Sequence, residues 1–314
     1  MRTLPMILAA KGLFVRVAPV QWGMLLLVVA LAYQVLSQQL DQRLYFWLTS
    51  DSQQDKWAGH SVWLPDFEVR EQALAIDGIK NNLSGLVYDS ERDRLWSVVN
   101  NPPELQLLST AGELQQRYPL SGFKDVEDIT YLGDDLLLLV EERTHALVVV
   151  PLPTRPGTLH REDYRALTLG LEADGNAGFE GVSYDRKGDR LYVVKEHSPR
   201  KLYEIQGLRA SLAGGFNLAV MDRSAWIGNK VFATDLSAVH FDDSTGHLLL
   251  LSDESKLLME LSDEGELVSF RSLYRGFAGL EQGVPQAEGL TMDGRGNLYL
   301  VSEPNLFYRF SRAE

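Results

Sequence analysis

The chain has 314 residues, 45% of them hydrophobic and 23% charged, enough to bury the core of one large or two ordinary domains. Its 43 acidic residues against 30 basic ones give a net charge of −13, which argues against a broad basic face for nucleic acid. It contains no cysteine, which excludes disulfides, thiolate nucleophiles, Cys-ligated zinc and haem attachment.

The N-terminus differs from the rest. Residues 17–40 carry no charge, and Gly23 to Tyr33 is almost wholly apolar, the composition of a membrane-spanning helix. Trp22 and Tyr33 stand where an aromatic belt falls, and Arg2, Lys11 and Arg16 precede the segment with no acid before Asp41. The positive-inside rule therefore places residues 1–16 in the cytoplasm, with 17–40 as a single signal-anchor helix and the remainder across the membrane. A cleaved signal peptide competes, since Ala30-Leu-Ala32 resembles a processing site, but the long lead-in favours an uncleaved anchor. Residues 41–62 read as a linker. The exported part keeps 27 basic and 43 acidic residues, so it should attract cations rather than anionic lipid.

Five segments then repeat a pattern: Asn82 to Asp89, Asp125 to Tyr131, Gly178 to Asp185, Asp235 to Asp242 and Gln286 to Asp293. Their third positions, Ser84, Glu127, Glu180, Ser237 and Glu288, lie 43, 53, 57 and 51 residues apart. A turn and an apolar strand follow each, and repeats of this length built from short strands predict an all-β fold, a β-propeller over 63–314. Five blades are counted. Six remain an alternative if 198–234 hides a degenerate unit. The last repeat stops after three strands, so a strand within Trp63 to Ile76 is expected to close the ring.

In a propeller the innermost strands line the axis. Ser84, Glu127, Glu180, Ser237 and Glu288 begin them, each followed by a small or acidic residue. Counting five beyond the leucine that opens each second strand gives a second ring: Asn100, Glu141, Glu196, Asp253 and Glu303. So many carboxylates on one face raise one another's pKa unless a cation compensates them. Oxygen-only ligands point to a hard cation, Ca²⁺ before Mg²⁺. Glu127, Glu180 and Glu288 are the expected metal ligands. Ser84, Asn100, Glu141, Arg143, Glu196, Ser237, Asp253, Glu303 and Asn305 are the expected ligand-binding set. The alternative is that these acids cap strands or face solvent. Lys124, Arg143, Lys195, Arg200 and Lys201 sit beside the face, where pairing with the acids competes with holding an anion. The six histidines form no metalloprotease motif, and no nucleophile elbow, Walker loop or dinucleotide fingerprint occurs. His197 alone follows an outer-ring acid.

Asn81-Asn-Leu-Ser-Gly85, Lys124-Asp-Val-Glu127, Gly178-Phe-Glu-Gly181, Gln286-Ala-Glu-Gly289 and Val301-Ser-Glu-Pro-Asn305 resemble the SdiA-regulated, YjiK-like family of bacterial propellers. The resemblance runs from about Asp77 to Phe310. It implies a propeller and a membrane-attached or periplasmic location, which with the single span read above places the propeller in the periplasm at the bacterial inner membrane, and the CarP-like calcium-regulated members imply a link to calcium homeostasis with a proposed phytase-like character. No catalytic set carries over. The reading that results is a cation-binding, non-enzymatic propeller with a role in calcium handling or envelope signalling. A metal-dependent phosphoester or lactone hydrolase stands second, and a protein-interaction scaffold third.

Overall fold

The computed structural model describes residues 19–37, 40–170, 178–196, 199–215, 217–228 and 231–312. The chain divides into two compact units, 1–47 and 48–314. In the first, helix α1 spans Pro19–Ser37, and Val20, Leu26, Leu27, Leu31 and Tyr33 all stand exposed. Among the described residues no helix is long and apolar enough to cross a membrane. Residues 17–18 and 38–39 of the expected span lie outside the described residues. A second helix, α2, covers Leu40–Trp57, beginning at the last residue of the expected span and filling most of the stretch read as linker.

The second unit is a five-bladed propeller. Its inner strands are Leu83–Asp89, Val126–Gly133, Phe179–Asp185, Ala238–Phe241 and Gln286–Met292, and each opens a sheet of antiparallel strands running outward, the first blade adding Leu159–His160 in parallel at its outer edge. The fifth blade supplies only three strands, and Phe67–Ala75 pairs antiparallel with Leu306–Arg312 to complete it. The expected closure is therefore present. The interval 198–234 holds the outer strands of the third blade, Lys201–Gln206 and Ala219–Asp222, together with a short helix at Leu208–Leu212. It builds no sixth blade among the described residues.

The repeat is legible in the turns. Four inner strands end in an aspartate or are followed directly by one, and it folds the hairpin onto its own carboxylate, as side chains of this length do. Asp89 accepts Glu91 N–H at 3.1 Å, Asp185 accepts Lys187 and Gly188 N–H at 2.9 Å each, and Asp242 accepts Thr245 N–H at 2.9 Å. Asp293 takes Arg295 and Asn297 N–H, both at 2.9 Å. The second blade lacks this aspartate and turns instead through Gly133, Asp134 and Asp135, all at positive φ.

The core lies between blades. Val87, Trp96, Val98 and Leu105 of the first blade pack on Ile129, Leu137, Leu139 and Val148 of the second. Comparable clusters join the second to the third, the fourth to the fifth, and the fifth to the first. Near-continuous apolar runs on the middle strands, such as Leu137–Val140 and Leu248–Leu251, bury both faces of those strands.

Small residues permit the inner strands to meet. A Cβ on Gly181 would lie 2.8 Å from Ala238 Cα, and one on Gly85 only 2.5 Å from Asp128 Cα. Both obstacles are backbone, which cannot rotate away. Gly181→Ala is expected to lower unfolding free energy by roughly 1–3 kcal/mol, to be read from urea denaturation. An unchanged midpoint would show that the axis has slack.

Candidate metal centre

In four of the five repeats the marked residue sits at a β-bulge. The register skips between Val126 and Asp128, Phe179 and Gly181, and Ala287 and Gly289, and between Leu83 and Leu86 in the first blade. Glu127, Glu180 and Glu288 are thus the extra, unpaired residues, and a bulge re-aims such a side chain out of the pleat. That is how three glutamates arrive at one mouth of the channel.

Around Glu127 a cluster closes. Its carboxylate accepts a hydrogen bond from Ser84 Oγ at 3.3 Å and another from the Asn100 amide. Asp125, Glu127 and Glu142 offer oxygens that all lie within 4.8 Å of one another, so this triad can hold a metal ion. The backbone fixes it: Glu142 N–H donates to Asp125 O at 2.9 Å, and Glu142 Oε1 accepts Gly178 N–H at 3.0 Å. Arg143 pairs with Asp125.

The electrostatics extend the cluster round the axis. Burial lifts the Glu127 carboxyl to about 7, Asp125 and Glu142 adding to the rise while the Ser84 hydroxyl opposes it. Glu180 is pushed well above the carboxylate range by burial and then by Glu127, Glu142, Glu196 and Glu288. Glu288 reaches about 8, chiefly through burial, with Asp253, Glu127 and Glu303 contributing against a hydrogen bond from Gln286. Glu303 is raised by burial and by Asp253. The influence crosses the channel, from Glu127 and Glu142 to Glu180 and from Glu127 and Glu303 to Glu288.

One ring member is corrected by register. The inner-strand residues Tyr88, Tyr131, Tyr184, Phe241 and Met292 pair with Leu95, Leu137, Leu191, Leu248 and Leu298. The second blade is therefore counted from Leu137, not Leu136, and five residues on lies Glu142. A one-residue slip turns a side chain to the other face. Glu141 accordingly points away, buried, accepting from Arg161 Nε at 2.8 Å and Lys124 N–H at 3.0 Å. The run Leu136-Leu-Leu-Leu-Val140 hid the phase. Asp125 is the first residue of its repeat and stands outside both marked ring positions.

Other expected residues divide. Asp253 receives Ala287 N–H at 2.8 Å and Lys256 Nζ at 2.5 Å while still acting on Glu288 and Glu303. Ser237 Oγ is buried with no hydrogen-bond partner among the described residues, at the ring position of the fourth blade. Asn305 is not brought to the acids: its amide donates to Ile79 O at 2.7 Å and ties down the loop after the closing strand. Among the basic residues, Lys201 pairs with Asp222 at 3.1 Å, and Arg200 reaches Val231 O at 3.5 Å, its pKa lowered by burial. His197 lies outside the described residues. A groove of about 310 Å³ lined by Asn100, Asn101, Pro103, Lys124, Asp125 and Arg143 adjoins the triad.

With this geometry in view, comparison with known families is decisive. The model of the family described as SdiA-regulated matches residues 59–311. The chain belongs to the SdiA-regulated family. Among solved structures, this SdiA-regulated propeller is similar to a streptogramin B lyase at 9% identity, covering 81% of this chain and 100% of that one with a TM-score of 0.47. It is also similar to a chain of a nidogen/laminin complex, at 13% identity over 71% and 73% of the two chains with a TM-score of 0.46. A Bacteroides thetaiotaomicron protein of unknown function matches at 13% identity over 74% and 55%, with a TM-score of 0.45. Likenesses this distant carry no argument about activity.

Proposed function

We propose that this SdiA-regulated protein is an inner-membrane-anchored, periplasmic propeller that binds a divalent cation, Ca²⁺ before Mg²⁺, at its acidic mouth and serves calcium homeostasis or envelope signalling. The carrying observation is the triad Asp125, Glu127 and Glu142, with its oxygens within 4.8 Å of one another. A bound cation restores the ionised form of carboxylates that burial and mutual repulsion otherwise hold protonated. Carboxylate and amide oxygens without His or Cys suit a hard ion, and a cluster of acids with irregular geometry suits calcium's flexible coordination. The Ser237 hydroxyl, unpartnered among the described residues, supplies another oxygen on the same ring. The anchor reading rests on the exposed apolar side chains of α1 and on the basic residues that precede it.

A second reading, a metal-dependent hydrolase of a phosphoester or lactone, draws on the groove in which Lys124 and Arg143 stand beside Asp125. There the ion would polarise the substrate, and a rim carboxylate would act as base.

Thermal unfolding of the full-length chain in detergent, first with chelator and then with Ca²⁺ or Mg²⁺, tests the proposal. At a calcium concentration about 100-fold above Kd, stabilisation of about 2.7 kcal/mol should raise Tm by roughly 5 °C. The rise should vanish in Glu127→Gln and Glu142→Gln. No rise at any calcium concentration would sink the cation reading. Turnover of a phosphoester or lactone panel that is lost in Glu196→Gln, with calcium binding intact, would favour the hydrolase.

A further inference from the structure

The acids occupy the mouth where the inner strands begin. At the opposite mouth, where those strands end, lies a second cavity of about 660 Å³, a volume typical of small-molecule sites. The repeat sets its wall, because strand alternation sends the same inner-strand position of every blade to the channel. Those residues are Val87, Thr130, Ser183, His240 and Thr291.

Two of the hydroxyls are already acceptors. Ser183 Oγ takes Phe241 N–H at 2.8 Å, and Thr291 Oγ1 takes Tyr88 N–H at 3.1 Å. A hydroxyl used in this way still has its own proton to donate. His240 departs from the small residues around it, and its half-buried imidazole makes no hydrogen bond among the described residues. Burial pushes its pKa down to about 4 against the pull of Asp242, so at neutral pH it offers one donor and one acceptor. Asp243 lines the same cavity. Its carboxylate accepts no hydrogen bond among the described residues, and burial raises its pKa.

The remaining charges at this mouth are compensated. Arg186 pairs with Glu91 at 3.0 Å, and Arg295 pairs with Asp93 at 2.6 Å and Asp293 at 3.3 Å. Arg312 donates to the carbonyls of Ser61 and Val62. Asp242 is taken up by Ser244 and Thr245. An anion would meet the Asp243 carboxylate and no uncommitted guanidinium. A cation at Asp243 would compete with Lys187 and Arg186, which already act on its carboxylate, Lys187 also donating to the Asp243 backbone carbonyl at 3.3 Å. What the wall offers is hydroxyl donors, a neutral imidazole and, at its exposed rim, the Asp243 carboxylate.

We propose that this mouth binds an uncharged polyhydroxylated ligand, a saccharide of one or two rings, with His240 and Asp243 as its principal hydrogen-bonding partners. The site is independent of the cation centre. Saturation-transfer NMR and calorimetry on the full-length chain in chelator test it, with glucose and maltose as uncharged probes and glucose 6-phosphate and glucosamine as charged counterparts. Maltose or glucose should bind with a roughly millimolar Kd, and both charged sugars about tenfold more weakly. His240→Ala and Asp243→Asn should each weaken binding about tenfold without changing Tm. If His240→Ala fails to fold, His240→Gln keeps the test open. Absence of binding by both uncharged sugars, tighter binding of a charged one, or affinity unmoved by the variants would overturn the proposal.

Discussion

Raising the pH from about 5 to about 8 in chelator is expected to destabilise the propeller, and calcium is expected to abolish most of that loss. Glu127 and Glu288 have folded values of about 7 and about 8 against an ordinary 4.5, and Glu180 is raised in the same direction. Below 4.5 both folded and unfolded chains hold these protons, so the groups contribute nothing. Between 4.5 and the folded values the native state binds more protons than the unfolded chain, and stability falls as pH rises. Above about 8 the loss levels off for Glu127 and Glu288. Taken alone, each of those two accounts for roughly 3–5 kcal/mol, but the groups interact and the sum is smaller. Glu180→Gln removes a raised member that lies among the others and relieves its neighbours. Its urea midpoint should therefore fall less steeply with pH than that of the wild type, and the two should cross. A wild-type midpoint that stays flat or rises over this interval would show that the axial carboxylates are solvated and ionised.

Much of this was legible in the sequence because it repeats. Five copies of one pattern gave the blade count, the closing strand and the mouth where Glu127, Glu180 and Glu288 gather. The aspartates that end or directly follow four inner strands declared the hairpins, since a short acid beside a glycine-bearing turn has few other uses. Three things were not legible. Counting from the first leucine of an unbroken apolar run misplaced the second blade by one residue, exchanging Glu142 for Glu141, because alternation carries no phase where both faces are buried. The far mouth was missed because its wall is written in Thr, Ser and His at a position that reads as ordinary strand polarity. The third was the docking of residues 56–64 on the fourth blade. Its key residue, Glu260, appears in the sequence only as one polar letter in Leu257-Leu-Met-Glu-Leu261.

Glu260→Ala is expected to cost roughly 3–5 kcal/mol, the penalty for removing one member of a buried charged network. Glu260 is 0% exposed, and four groups converge on its two oxygens. Oε1 accepts Val62 N–H at 2.7 Å and lies 2.7 Å from His247 Nδ1. Oε2 accepts Trp63 N–H at 3.0 Å and Ser269 Oγ–H at 2.6 Å. Ser269 Oγ in turn receives Leu64 N–H at 3.0 Å, Trp57 meets the His247 ring edge-on, and Lys56 pairs with Glu266. This carboxylate therefore sets the path of the chain into Phe67–Ala75, the strand that closes the ring. Replacing a buried ion by a hydrophobic residue is often harmless, but here two backbone N–H groups would be orphaned, and nothing apolar can satisfy them. Glu260→Leu should thus be about as damaging as Glu260→Ala. Glu260→Gln should fall between these and wild type, since one amide oxygen can serve only one of the two sites. Hydrogen exchange should show amides 62–64 and 67–75 losing protection before the inner strands do. If Glu260→Leu were as stable as wild type, the segment would be held by packing alone, and ring closure would owe nothing to this carboxylate.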